Sequence, residues 1–273
     1  MFLISIMVAL LCLICSICIN ISWINDIACY FGYFLAIYLV TFIALIPGFY
    51  FIFTLISLLS SKKEKKACTK KEEDVTILIP VYNAKKSIKE TLESIKKQKY
   101  CGNIYLSIID DGSTNGTLEL LKSMKLDSNI TIIESKHQGK AEALNKGLQS
   151  VKTDYTITID SDTILHPLAI RNIMNKLTNS NKKTAATAGC LFVKNSKKSF
   201  ITKLQEWDYT LGIFGVKLVQ GNYNSTLVAQ GAFSAYKTEV LREIGGWKNC
   251  VGEDIVLTWE LLSKGYETNF AKN

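Results

Sequence analysis

The first 60 residues contain no lysine or arginine and only one charged side chain, Asp26. An apolar stretch of that length without charge reads as membrane-spanning segments and excludes an ordinary solvated domain there. Arginine is scarce throughout: of 32 basic residues only Arg171 and Arg242 are arginines. Zinc-finger spacings and RNP-like aromatic motifs are missing, so no nucleic-acid partner is expected. The segment after the first strand-like run, PVYNAKK, lacks GxGxxG, which excludes a dinucleotide-binding dehydrogenase. The eight cysteines form no disulfide framework. Cys12, Cys15 and Cys18 have thiolate-ligand spacing, but they sit in apolar surroundings with no histidine or aspartate beside them. Soft packing explains them better.

What is present divides the chain into three. Residues 1–60 hold two spans, 1–24 and 27–60, each exceeding the about 20 apolar residues a bilayer core needs. Trp23 and Asn25-Asp26 mark the expected turn; the second span is longer than needed, so it is expected to tilt, to kink near Pro47-Gly48, or to leave its end along the interface. A signal peptide followed by one span is the alternative; the missing basic leader and cleavage site speak against it. Residues 61–74 (SKKEKKACTKKEED) form a basic linker. Its lysines follow a span directly, which predicts a cytoplasmic side for everything after it, in a multi-pass protein of the cell membrane. The basic residues behind the net charge of +8 all lie beyond residue 60, and the charge suits anionic lipid or anionic substrates.

Residues 75–273 read as an α/β domain. Strands are expected at 75–81, 104–110, 130–135, 155–160 and 186–193, with helices at 88–96, 117–124, 140–151 and 167–177 between them. This alternation predicts a mostly parallel sheet with helices on both faces. Ligands then bind beyond the carboxyl ends of the strands. Three such ends carry chemistry: Asp110-Asp111-Gly112-Ser113, His137 to Lys140, and Asp160-Ser161-Asp162. Further on, 200–218 reads as helix, 226–236 as a strand interrupted by Gly231, and a helix begins near Asp254. Ile255, Leu257, Leu261 and Leu262 are its expected buried face.

Asp160 and Asp162 lie two residues apart, on one face of an extended chain. Two such carboxylates repel unless a cation joins them, and magnesium-type ions take one or two carboxylates plus phosphate oxygens. A polar turn after a strand is the plainer alternative. The surrounding motifs decide. VTILIPVYNAKKSIKETLESI, IIDDGSTNGT, GKAEALNKGL, IDSDT and GED together resemble the successive motifs of family 2 glycosyltransferases with the GT-A fold. Within that family the two amino-terminal spans and QGAFSAY…GGW…GEDIVLTW are most similar to membrane-bound processive synthases of the poly-β-1,6-N-acetylglucosamine type.

The resemblance implies an inverting transfer of a sugar, N-acetylglucosamine being the first choice, from a UDP-sugar donor to a glycan acceptor in cell-surface polysaccharide synthesis. It implies that Pro80, Tyr82 and Asn83 line the nucleotide pocket and that Asp111 accepts from the base. Lys140 lies near the phosphates. Asp160 and Asp162 form the DxD motif, with Mg2+ or Mn2+ held chiefly by Asp162. Asp254 is the general base, supported by Glu253. Processive members continue into a Gln-x-x-Arg-Trp motif. No Arg-Trp dipeptide occurs here, so the expectation is a catalytic domain incomplete at its carboxyl end, or one completed by a second membrane subunit.

Two rivals remain at this level. A nucleotide-sugar-binding membrane protein without turnover fits the same motifs. DSDT also resembles the DxDxT of aspartate-nucleophile phosphatases, although three strands precede it here. His137, near Lys140, could touch phosphate, but an exposed loop residue is the plainer reading; His166 reads as helix-entry packing. Trp247 and Trp259 could stack on sugars or pack, and Glu206, Trp207 and Asp208 are acceptor-side candidates.

Overall fold

The computed structural model describes residues 2–59, 72–124 and 127–272. The chain forms two compact units, Met1–Glu64 and Lys65–Asn273. Positions 61–71 of the basic linker lie outside the described residues.

In the first unit α1 (Phe2–Phe31) packs on α2 (Tyr33–Val40) and α3 (Ile46–Leu59). The break between α1 and α2 falls at Gly32, not at Asn25-Asp26 as expected. Gly32 has φ 78°, a conformation glycine enters without steric cost. Asn25 and Asp26 stay inside α1, where the helix already satisfies their backbone groups. The irregularity expected near Pro47 is a π-helical turn at Thr41–Leu45, just before it. Ser5, Ala9, Ala36 and Ser57 are buried, while Leu3, Met7, Leu11, Phe34 and Phe51 face outward. Small residues inside and large apolar ones outside let helices approach closely in an apolar solvent. Leu3–Phe31 and Tyr33–Leu59 are both long and apolar enough to cross a membrane.

The second unit is built on seven strands: β1 (Val75–Val81), β2 (Ile104–Asp111), β3 (Ile130–Ser135), β4 (Tyr155–Ile159), β5 (Thr184–Ala188), β6 (Phe233–Lys237) and β7 (Glu267–Phe270). Their order is β3-β2-β1-β4-β6-β5-β7, with β6 antiparallel to both neighbours and every other pairing parallel. The helices are α4 (Ile88–Lys96), α5 (Thr117–Ser123), α6 (Lys140–Ser150), α7 (Ala169–Thr178), α8 (Phe200–Asp208), α9 (Val216–Asn222), α10 (Thr238–Glu243) and α11 (Glu253–Ser263).

The period-two pattern of β1 explains the two-sided core. Val75, Ile77, Ile79 and Val81 pack with Leu92 of α4 and with Ile173 and Met174 of α7. Leu78 points the other way, into a cluster with Leu144 and Leu148 of α6, Leu257 of α11, and Trp247 from the turn before α11.

Three expectations need correction. β5 runs Thr184–Ala188 rather than over 186–193; just past its end the Gly189 N–H still donates to the Phe233 carbonyl at 2.9 Å, and a Cβ there would lie 2.0 Å from the Phe233 ring. The buried face of α11 is Leu257, Thr258 and Leu261. Ile255 is 38% exposed and Leu262 only half-buried, since Ile255 folds back over the Gly252 turn. The strand expected over 226–236 forms only from Phe233 onward, as β6; the helix expected over 200–218 is present, with a π-helical stretch, Tyr209–Gly215, between α8 and α9.

Candidate active site

The carboxyl ends of β1, β2 and β4 meet the amino-terminal ends of α6 and α11 at one edge of the sheet. Pro80 is buried within β1. Asn83 has φ 54°, which asparagine tolerates better than most side chains. Its N–H donates to Ser113 Oγ at 3.0 Å, and its Oδ1 accepts from the Thr114 N–H at 2.8 Å. Asn83 thus ties the β1 loop to the β2 loop. Asp110 is buried: its Oδ2 accepts from the Ser113 N–H at 3.1 Å, and its Oδ1 has no hydrogen-bond partner among the described residues.

Asp111, at the end of β2, is 3% exposed. Oδ1 accepts from the Gln138 N–H and Oδ2 from the Gly139 N–H, both at 2.9 Å. His137 Nδ1 lies 2.9 Å from Oδ2 and 3.1 Å from the Asp111 carbonyl oxygen. The His137 ring also stacks on Tyr82, with centroids 4.1 Å apart and planes inclined by 18°. His137 is the exposed loop residue expected, its side chain 55% exposed, and in addition its ring engages two nucleotide-site candidates, Asp111 and Tyr82. Gly112, at φ 72°, permits the two loops to approach, since a Cβ there would lie 2.8 Å from the His137 backbone nitrogen.

Lys140 opens α6 and reaches across the sheet. Its Nζ is 2.6 Å from Asp160 Oδ1 and 3.5 Å from Glu253 Oε1. Burial works against its charge, but Asp160 and Glu253 outweigh burial and push the ammonium above its ordinary value. Gly231 leaves room for it: a Cβ at that position would sit 2.7 Å from Nζ. Asp160 is tied to the start of the antiparallel strand, its N–H donating to the Ala232 carbonyl at 3.3 Å.

Glu253 and Asp254 occupy the first turn of α11, where the helix dipole favours negative charge. Asp254 Oδ2 accepts from the Gly231 N–H at 3.1 Å and Oδ1 from the Ile255 N–H at 2.9 Å. Thr258 Oγ1 donates to the Asp254 carbonyl at 2.6 Å and accepts from the Ala229 N–H at 2.8 Å, which locks that turn.

Asp160 and Asp162 line a cavity of about 900 Å³ that also borders His166, Cys190, Phe192, Lys194 and Tyr209. Among the described residues no group of three or more His, Cys, Asp or Glu side chains could enclose a metal. Two carboxylates opening on a wide cavity fit a hard divalent ion that draws its remaining ligands from phosphate and water. They do not fit an all-protein cage.

Sequence reasoning missed Lys217. It is 7% exposed on α9 and donates to the Val228 carbonyl. Burial pushes its ammonium down to about 8, opposed by the nearby charges of Asp254 and Cys190. Burial likewise pushes the Cys190 thiol up to about 11, against the pull of Lys217. Trp247 is 2% exposed and packs edge-on against Tyr236, so it is core and not a sugar platform. Trp207 and Trp259 are exposed. His166 accepts from the Leu168 N–H just before α7, as its helix-entry reading expected.

Residues 76–245 match the model of the family described as Glycosyl transferase family 2. The poly-beta-1,6-N-acetyl-D-glucosamine synthase of Staphylococcus aureus is 28% identical over 228 residues, covering 83% of this chain and 55% of that protein. The synthase of the same name from Staphylococcus epidermidis is 27% identical over 200 residues, covering 72% and 48%. The chain therefore spans about half the length of the curated relatives it matches. Among solved structures, the mannosyltransferase PcManGT of Pyrobaculum calidifontis, in complex with GDP-Man and Mn2+, superposes with a TM-score of 0.64 at 19% identity, covering 81% of this chain and 61% of that one. Staphylococcus aureus TarS in complex with UDP-GlcNAc gives 0.54 at 16% identity, covering 73% and 56%. Both likenesses bear on the fold alone. The family match over most of the second unit, the α/β sheet with its acidic strand ends, and the relatives' names lead to one assignment: this chain belongs to glycosyl transferase family 2.

Proposed function

We propose that the second unit moves N-acetylglucosamine from UDP-N-acetylglucosamine to a hydroxyl of a growing glycan, and that the first unit anchors it in the cell membrane with the catalytic unit on the cytoplasmic side. The observation that carries this reading is Lys140 bridging Asp160 and Glu253. It joins Asp160, the donor-side acid just past β4, to Glu253 in the first turn of α11, beside Asp254. The names of the staphylococcal synthases support the sugar, and the UDP-GlcNAc complex of TarS supports the donor class.

Tyr82 and Asp111 bind the base, with Pro80 and Asn83 shaping the loop beneath it. Asp160 and Asp162 hold Mg2+ or Mn2+ together with the diphosphate. Bound there, such an ion neutralises the charge that grows on the leaving diphosphate. Lys140 contributes a second positive charge at the same place. Asp254 takes the proton of the attacking hydroxyl from the opposite side, and Glu253 keeps Lys140 near it. One base and no second nucleophile give a single displacement with inversion, hence a β-linkage. General-base assistance of this kind is worth about 10²–10⁴ in rate.

The test measures UDP release by purified membranes containing the chain, across several nucleotide sugars. The expected result is turnover of UDP-N-acetylglucosamine that stops on chelation and falls at least about 100-fold in Asp254→Asn. Full turnover after chelation would overturn the metal role of Asp160 and Asp162, and full turnover in Asp254→Asn would overturn its role as base. Donor binding with no turnover under any condition would favour the binding-only reading.

A further inference from the structure

We propose that His137 is an internal competitor for the nucleotide's base: its imidazole takes the stacking face of Tyr82 and the accepting edge of Asp111 that the base needs. The inference rests on the proposed function, in which the base binds at Tyr82 and Asp111. Three features carry it. The two rings lie nearly parallel at 4.1 Å, the geometry of an offset stack. Nδ1 faces only acceptors, the Asp111 carboxylate at 2.9 Å and the Asp111 carbonyl at 3.1 Å, so the proton of a neutral His137 belongs on Nδ1. A flat ring offering an in-plane N–H to a carboxylate has the two recognition features of uracil, which stacks and presents its ring N–H.

The remaining contacts of Asp111 do not depend on this ring. The Gln138 and Gly139 N–H groups hold both oxygens in place, so the carboxylate stays oriented when the imidazole leaves. Leaving disturbs little else: the Tyr82 residue is 48% exposed and the His137 side chain 55%, so neither is wedged into the core. Base binding therefore exchanges one stack and one hydrogen bond for another pair of the same kind. The intrinsic affinity of the pocket is discounted by the cost of moving His137 aside, as for any site whose competent form is only partly populated.

The test is equilibrium binding of UDP in the presence of Mg2+ to the purified full chain, by calorimetry. Asp111→Asn and Tyr82→Ala are expected to weaken binding. His137→Ala, which removes only an exposed ring, is expected to tighten it about 10-fold, the upper value of an aromatic stack of this kind. His137→Phe keeps a ring on Tyr82 but loses the N–H, and is expected to fall between wild type and alanine. Unchanged or weaker binding in His137→Ala, with Tyr82→Ala still impaired, would overturn the competitor role and leave the base site standing. Wild-type binding in both Tyr82→Ala and Asp111→Asn would overturn the base site itself, and the inference with it.

Discussion

Lys217 shows how one side chain escapes a reading of the sequence. Thirty lysines dilute the signal of any single one, and nothing in VKLVQGN marks position 217. Its character comes from tertiary burial beside Asp254, 37 positions away. That burial has a measurable consequence. In the folded chain Lys217 gives up its proton near pH 8, and in the unfolded chain near its ordinary value of 10.5. Below pH 8 both states are charged and the cost of burying the ammonium is fully present. Between 8 and 10.5 only the unfolded chain keeps the proton, so this group makes stability rise with pH. Cys190 acts in the opposite sense above pH 9, because its thiol ionises in the unfolded chain first. The expected outcome is a gain of about 1 kcal/mol between pH 8 and 9, read from denaturant midpoints of the purified chain, and no such gain in Lys217→Met. By contrast Asp111, Lys140, Asp160, Asp162, Glu253 and Asp254 are legible in the sequence, because each sits in a short motif at the end of a recognisable strand or the start of a helix. The stack of His137 on Tyr82 is not, since it joins loops 55 residues apart.

At the scale of elements, β1 to β4 can be placed because their apolar runs alternate with amphipathic helices. β5 is harder because two different apolar segments adjoin: Thr184–Ala188 pairs in the sheet, whereas Leu191 to Val193 line the cavity beside Asp160. Hydrophobicity alone does not separate a strand from a cleft wall. The π-helical stretch at Tyr209–Gly215 leaves no pattern to find. The seating of α6 can be tested directly. A Cβ at Gly147 would lie 2.7 Å from Ile109 Cδ1 and 3.1 Å from Leu78 Cδ2, both in fully buried residues. Gly147→Ala therefore overpacks the interface between α6 and the sheet, at a cost of about 1–3 kcal/mol. The expected reading is a melting temperature lower by several degrees. An unchanged melting temperature would mean that α6 shifts freely on the sheet, and that Lys140 at its end is less firmly held than its contacts suggest.

For the whole molecule, the charge distribution separates two ways of meeting a membrane. The basic residues all follow residue 60, and a protein held only by them is released by salt. One held by apolar helices is not. The chain is expected to remain in the membrane pellet after both high-salt and alkaline carbonate washes, followed by immunoblot. Release by either wash would remove Leu3–Phe31 and Tyr33–Leu59 as anchors.

The order of the strands also bears on synthesis at the ribosome. A nascent chain that has emerged just past β4 already owns Tyr82, Asp111, Lys140, Asp160 and Asp162, but neither Glu253 nor Asp254. Until β6 arrives, some 70 residues later, β4 is an open border of the sheet, with a row of backbone groups waiting for a neighbour. Biogenesis thus passes through a half-built enzyme with a sticky flank, the stage at which a chaperone would matter most.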